Sequence, residues 1–233
     1  MAKKLSVFLL IGQSNMAGRG NLEDVPVLSH PEVYLFRDNS WMDAVEPLHT
    51  DKPKIPGVGL GMSFAIELLR RGFEGPIGLV PCAVGGTSLD QWSPETKLYT
   101  SSVMTTVASL ISGELAGILW HQGEGDSNDA DLAKSYQLRF CKLIKKLRSD
   151  LSADSIPVLA GELGAFLEHR EGVEYYEQVN QQLRESGELI PNYACVSADG
   201  LSDKGDSLHF NAVSLREFGI RYAATFQDIN GFT

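Results

Sequence analysis

Cysteine is scarce in this sequence: Cys82, Cys141 and Cys195 are the only three among 233 residues, and no Cys-x-x-Cys pair occurs. An odd count leaves one thiol over in any disulfide scheme, so a disulfide framework and a thiolate metal or redox motif both fit poorly, and buried, reduced thiols are expected. No apolar run approaches the ~18 residues of a membrane span. Basic clusters stop at pairs (Lys3-Lys4, Arg70-Arg71, Lys145-Lys146), and 20 Lys+Arg against 30 Asp+Glu give a formal charge of −10. That balance argues against nucleic acid and anionic membrane surfaces as partners, since both are bound through Lys/Arg patches. Gly-x-Ser-x-Gly is missing, which sets aside the α/β-hydrolase elbow. The stretch Gly57-Val58-Gly59-Leu60-Gly61 lacks both GxGxxG spacing and a P-loop Lys-Ser/Thr, so no nucleotide cofactor is expected. His30, His49 and His169 have no ligand partners near them in sequence. The run Glu124, Asp126, Asp129, Asp131 does not follow a calcium loop and reads as a solvated helix start. No metal is expected.

What is present fits a soluble globular chain: 43% apolar and 21% charged residues, in a length that should bury roughly 70–75% of its unfolded surface. Short, nearly continuous apolar runs lie at 5–11, 33–36, 77–84, 115–120, 156–160 and 193–197, the pattern of strands buried on both faces. Between them, Leu132, Tyr136, Phe140, Leu143 and Leu147 step by three or four, as do Leu215, Phe218, Tyr222 and Phe226, which predicts helices. Residues 62–71, 98–111 and 173–184 read as further helices, and 38–59, rich in Pro, Gly and Asp, as a long loop. Alternation of this kind implies a mostly parallel central sheet between two helical layers. The expectation is one doubly wound, flavodoxin-like α/β domain over residues 1–233. Lys3-Lys4 before the apolar run 5–11 imitates a signal peptide, but Gly12-Gln13-Ser14-Asn15 follows with no small-x-small cleavage site. The run is therefore read as the first strand, and a cytoplasmic location is expected.

In open parallel sheets ligands sit beyond the carboxyl ends of the strands. Four polar stretches fall there: Gly12-Gln13-Ser14-Asn15, Gly85-Gly86-Thr87-Ser88, His121-Gln122-Gly123-Glu124 and Asp206-Ser207-Leu208-His209. A serine nucleophile needs a base, a group that orients the base, and donors for the developing oxyanion. Ser14 at a strand-to-helix turn supplies the first, and His209 the base. Asp206, three residues earlier, or Glu124 would orient it. The side-chain amide of Gln122 and the Gly86 N–H are candidate oxyanion donors. Trp41 and Trp92 would either stack on a sugar or pack in the core.

These motifs resemble the SGNH (GDSL-type) hydrolase superfamily and, within it, the carbohydrate acetylesterase branch that includes acetylxylan esterases and sialate O-acetylesterases. The matching blocks are 12–20 (Gly-Gln-Ser-Asn-Met-Ala-Gly-Arg-Gly), 81–88, 120–124 and 206–210, in the family's order. The resemblance implies a flavodoxin-like fold and a metal-independent esterase without cofactor. Ser14 would be the nucleophile, His209 the base and Asp206 the acid, with the Ser14 N–H, the Gly86 N–H and Gln122 around the oxyanion. Two blocks depart from the wider superfamily. Gly-Asp-Ser is here Gly12-Gln13-Ser14, and Gly-x-Asn-Asp is His121-Gln122-Gly123-Glu124; the second change leaves the third oxyanion donor and the identity of the acid open. The expected substrate is a small-molecule or oligosaccharide acetyl ester. The alternatives are an acyl-chain esterase or thioesterase of the same superfamily, which needs a long apolar groove, and a non-catalytic carbohydrate- or nucleotide-binding module.

Overall fold

The computed structural model describes residues 4–231. Seven strands, β1 (Leu5–Gly12), β2 (Val33–Arg37), β3 (Ser40–Asp43), β4 (Ile77–Pro81), β5 (Gly113–His121), β6 (Val158–Gly161) and β7 (Tyr193–Val196), form one sheet in the order β3-β2-β4-β1-β5-β6-β7. Every neighbouring pair is parallel except β2–β3. Strand β3 lies inside the stretch expected to be loop. Its hairpin turns on Asp38-Asn39, both at positive φ (51° and 57°), the backbone that a two-residue hairpin matching the strand twist requires. Without this added pair the order is 2-1-3-4-5, as in a flavodoxin-like sheet, and β1 stands at the switch point where ligands bind.

Strand β1 shows why the sheet is buried on both sides. Phe8 and Leu10 point into one apolar cluster and Val7, Leu9 and Ile11 into the other, all fully buried, with the two-residue period of a strand. Helices α1 (Ser14–Ala17), α2 (Gly61–Arg70), α3 (Lys97–Ser109), α4 (Ala130–Lys134), α5 (Tyr136–Asp150), α6 (Tyr176–Glu185) and α7 (Ala212–Asn230) complete the layers. On the α2/α7 side Phe8, Phe64, Phe73 and Phe226 meet edge to face, with centroids 5.0–6.3 Å apart. The helix expected through 132–147 is divided at Ser135. Its hydroxyl donates back to the Asp131 carbonyl at 2.7 Å and competes with the backbone ladder.

The strand expected over 77–84 leaves the ladder at Pro81, although the Cys82 and Val84 N–H groups still reach the Leu10 and Gly12 carbonyls (2.8 and 3.0 Å). The three cysteines are unpaired and half-buried rather than fully enclosed, and burial pushes the thiols of Cys82 and Cys195 up to about 12. Among the described residues no helix is long and apolar enough to cross a membrane.

The ends of β1 and β5 touch at Gly12. Its φ is +135°, and a Cβ there would lie 2.1 Å from the His121 carbonyl oxygen, the same oxygen that accepts the Gln13 N–H at 2.8 Å. Gly12→Ala must therefore spread the two central strands. It is expected to lose at least ~2 kcal/mol, a fall of about 4–8 °C in melting temperature, which a thermal melt followed by circular dichroism would read.

Candidate active site

Ser14 opens the short helix α1 immediately beyond β1, so the chain turns and the first helical N–H groups are left without intrahelical acceptors. Its Oγ lies 3.1 Å from His209 Nε2. His209 Nδ1 lies 2.7 Å from Asp206 Oδ2. The other Asp206 oxygen accepts the backbone N–H groups of Leu208 and His209, at 3.0 and 2.8 Å. Partial burial pushes the Asp206 carboxyl up, but the His209 ring and these two N–H groups outweigh it and hold it below the usual carboxylate range. An anion therefore faces the imidazole and fixes its tautomer with hydrogen on Nδ1. Arg170 and Lys204 flank this carboxylate, Arg170 Nη1 donating to the Asp206 carbonyl at 3.0 Å and Lys204 Nζ standing 3.8 Å from Oδ2.

Glu124, the other candidate acid, is bonded elsewhere. Its Oε1 accepts from Asn15 Nδ2 at 2.5 Å. Asn15 also donates to the Leu208 carbonyl (3.2 Å) and accepts the Phe210 N–H (3.1 Å), so its amide orientation is set on both sides. Glu124 thus supports the His209 loop through Asn15 and makes no bond to the His209 ring.

Gln122 is fully buried, and both hydrogens of its amide are engaged, by the Thr87 carbonyl at 3.0 Å and Asp126 Oδ2 at 2.7 Å. The expectation that it donates to an oxyanion is corrected accordingly. A different amide is free. The side-chain carbonyl oxygen of Gln13 accepts the N–H groups of Gly123 (3.4 Å) and Gly125 (3.2 Å), which fixes its orientation and leaves its NH₂ with no partner among the described residues. The signal for this residue was in the sequence, as the Gln that replaces Asp before the serine. The backbone N–H groups of Ser14 and Gly86 likewise donate to nothing among the described residues.

Other expectations change with burial. Asp126 is fully buried, and accepts from Leu89 N–H and Arg139 as well as Gln122. Only Asp129 and Asp131 form the solvated helix start, with Asp129 capping α4. Trp92 is core: fully buried, edge-on to Trp120 at 6.1 Å, its indole N–H on Thr87 Oγ1. Trp41 packs over Gly78 near the amino end of β4, at the end of the sheet opposite Ser14. Among the described residues no group of three or more His, Cys, Asp or Glu is placed to hold a metal ion. The segment 44–60 brings Asp51 and His49 under the site, which its composition did not announce. Asp51 Oδ2 accepts from Arg19 Nη2 (2.6 Å) and from the Gly85 N–H (2.8 Å). Burial raises the Asp51 carboxyl, and these donors more than reverse that.

The model of the family described as carbohydrate esterase, sialic acid-specific acetylesterase matches residues 4–228. A probable carbohydrate esterase of Arabidopsis thaliana is 35% identical over 240 residues, 94% of this chain and 89% of that protein. A solved Arabidopsis thaliana structure superposes with a TM-score of 0.88 at 32% identity, covering 97% of this chain and 99% of the other. A carbohydrate acetylesterase from Xanthomonas citri has the same fold, with a TM-score of 0.68 at 20% identity over 98% of this chain and 57% of that one.

His49 gives the fold's stability a pH dependence. Burial lowers its pKa from 6.5 to about 4, against the pull of Asp51. Between these values the unfolded chain binds a proton that the folded chain refuses, so stability falls as pH drops from 6.5 towards 4 and no further below. The loss should approach about 3 kcal/mol. His49→Gln is expected to flatten the urea-unfolding midpoint across this window while leaving its slope above pH 7 unchanged.

Proposed function

Because the chain belongs to the carbohydrate esterase, sialic acid-specific acetylesterase family and is a carbohydrate O-acetylesterase, we propose that it removes O-acetyl groups from sugars through Ser14, His209 and Asp206. The observation that carries this reading is the unbroken chain Ser14 Oγ–His209–Asp206, at 3.1 and 2.7 Å. His209 Nε2 takes the Ser14 proton as Oγ attacks the acetyl carbonyl carbon. The sugar oxygen then leaves with that proton, and Ser14 keeps the acetyl group. Water, deprotonated by the same nitrogen, attacks the acetyl-enzyme and releases acetate. Asp206 stays ionised throughout and stabilises the imidazolium.

The oxyanion is met by the N–H groups of Ser14 and Gly86, with the free amide of Gln13 as third donor. The first and third sequence blocks then depart from the wider superfamily together. The third block no longer has an Asn to offer, and the Gln before the serine reaches across to it instead. The acyl-chain reading finds little support. Two large apolar depressions, one bounded by Leu138, Ile144 and Leu189 and the other by Leu28, Ile66 and Val213, contain none of the site residues.

Acetate release from acetylated xylo-oligosaccharides, acetylated sialic acid and a p-nitrophenyl acyl series tests the proposal. Release is expected for acetyl esters and should fall by at least ~10³ in folded Ser14→Ala; a preference for long acyl chains, or turnover that survives in Ser14→Ala, refutes it. Asp206→Asn should cost ~10³–10⁴ in kcat through the wrong tautomer. Glu124→Gln keeps an acceptor for Asn15 and should stay within ~10-fold. The reverse order would move the acid's role to Glu124.

Gln13→Glu keeps the oxygen that Gly123 and Gly125 bond but puts a carboxylate oxygen where the NH₂ stood, removing the donor and adding repulsion toward an oxyanion. A fall of roughly 10²–10³ in kcat is expected, the cost of one oxyanion donor. Unchanged kcat would return that part to the two backbone groups alone.

A further inference from the structure

A buried ion pair lies against the nucleophile. The side chains of Arg19 and Asp51 are 3% and 4% exposed. Besides its bond to Asp51, Arg19 donates through Nη1 to the Gly18 carbonyl at 2.7 Å, and its own carbonyl accepts from Lys204 at 3.3 Å. One carboxylate oxygen thus joins three segments: 13–20, which carries Ser14; 44–60; and the turn 82–88, which carries Gly86.

That turn is pinned at both ends. On one side the Val84 N–H is held by the Gly12 carbonyl; on the other the Thr87 carbonyl is held by Gln122. Between them stand two residues without side chains, and among the described residues the bond from Gly85 N–H to Asp51 is the one hydrogen bond they make. A bond to an ionised acceptor is short and about twice as strong as a neutral one. The contact is also close: a Cβ on Gly85 would lie 2.6 Å from Arg19 Nη2 and 3.2 Å from Ser14 Cβ. The ion pair, the glycine turn and the serine are packed as one unit, so displacing Asp51 displaces the Gly86 N–H relative to Ser14 Oγ.

We infer that Arg19 and Asp51 are positioning residues that aim the Gly86 N–H at the ester oxygen, with Arg19 holding Asp51 in place and Asp51 holding the turn. The inference rests on the assignment of Ser14 and Gly86 proposed above. Fold stability alone does not call for such a pair, because a buried ion pair is often replaceable by well-packed apolar residues without loss.

Two variants test it. Asp51→Asn keeps a neutral acceptor for Gly85, and Arg19→Met/Asp51→Leu removes both charges and the acceptor while filling the space. Thermal melts establish folding, and the paired variant decides where Asp51→Asn is unfolded. We expect kcat to fall by about 10-fold in the first and about 10²-fold in the second, with KM within about two-fold. Phosphonylation of Ser14 by p-nitrophenyl methylphosphonate, which needs the same oxyanion donors, should slow in step with kcat. A wild-type kcat in either folded variant, or a change confined to KM, overturns the inference. Ser14→Ala is measured beside them: activity surviving there refutes the nucleophile assignment itself. Its loss there, with Asp51 variants at full kcat, refutes only the positioning role.

Discussion

The carboxamide of Asn15 ties the two ends of the chain together. It donates to Glu124 and to the Leu208 carbonyl and accepts the Phe210 N–H, across a sequence separation of up to 195 residues. The 206–210 loop is docked on the segment that carries Ser14 by these bonds, directed at the backbone on both sides of His209, together with Lys204 on the Arg19 carbonyl. Asp206 then fixes the ring within that loop by bonding both its imidazole and its backbone N–H. Position and orientation are set by different residues.

A second polar arrangement supports the opposite wall. Asp126 is buried without solvent and satisfied by Arg139, the Leu89 N–H and Gln122, and Tyr136 donates to the carbonyl and side-chain oxygens of Gln122. Buried polar groups of this kind are stable only when every donor and acceptor is matched. That requirement explains why Gln122 cannot also serve an incoming oxyanion: its two hydrogens are what satisfies Asp126 and the Thr87 carbonyl.

The sheet, its parallel sense and the edge where the polar blocks converge were legible because continuous apolar runs and the polar residues that follow them are local signals. Phe8 and Leu10 against Val7, Leu9 and Ile11 needed no tertiary information. The hairpin strand β3 was missed because its apolar content, Trp41 and Met42, is small and its signal is only the Asp38-Asn39 turn. Ser14 and His209 could be paired from their places at the ends of strands, while Asp206 and Glu124 both stood as the acid until the fold bonded Asp206 to the ring. Asp51, His49 and the burial of Asp126 could not be read that way. A carboxylate in a Pro- and Gly-rich stretch looks the same whether solvated or buried against an arginine 32 residues away, and only the folded path of 44–60 decides. Gln13 was visible as the residue that replaces Asp before the serine, but which amide is engaged and which is free, Gln122 or Gln13, depends on tertiary partners.

Unsatisfied groups gather behind the same edge. His121 is fully buried, and its Nε2 faces the Glu162 carbonyl at 3.1 Å. A carbonyl only accepts, so that nitrogen carries the hydrogen, while burial lowers the ring's pKa and keeps it neutral. Its Nδ1 is then a lone pair, 3.9 Å from Glu124 Oε1, and neither Nδ1 nor Glu124 Oε2 has a hydrogen-bond partner among the described residues. The same carboxylate is the one Asn15 needs. His121 and Glu124 stand behind Asn15, and through it behind the loop that carries His209.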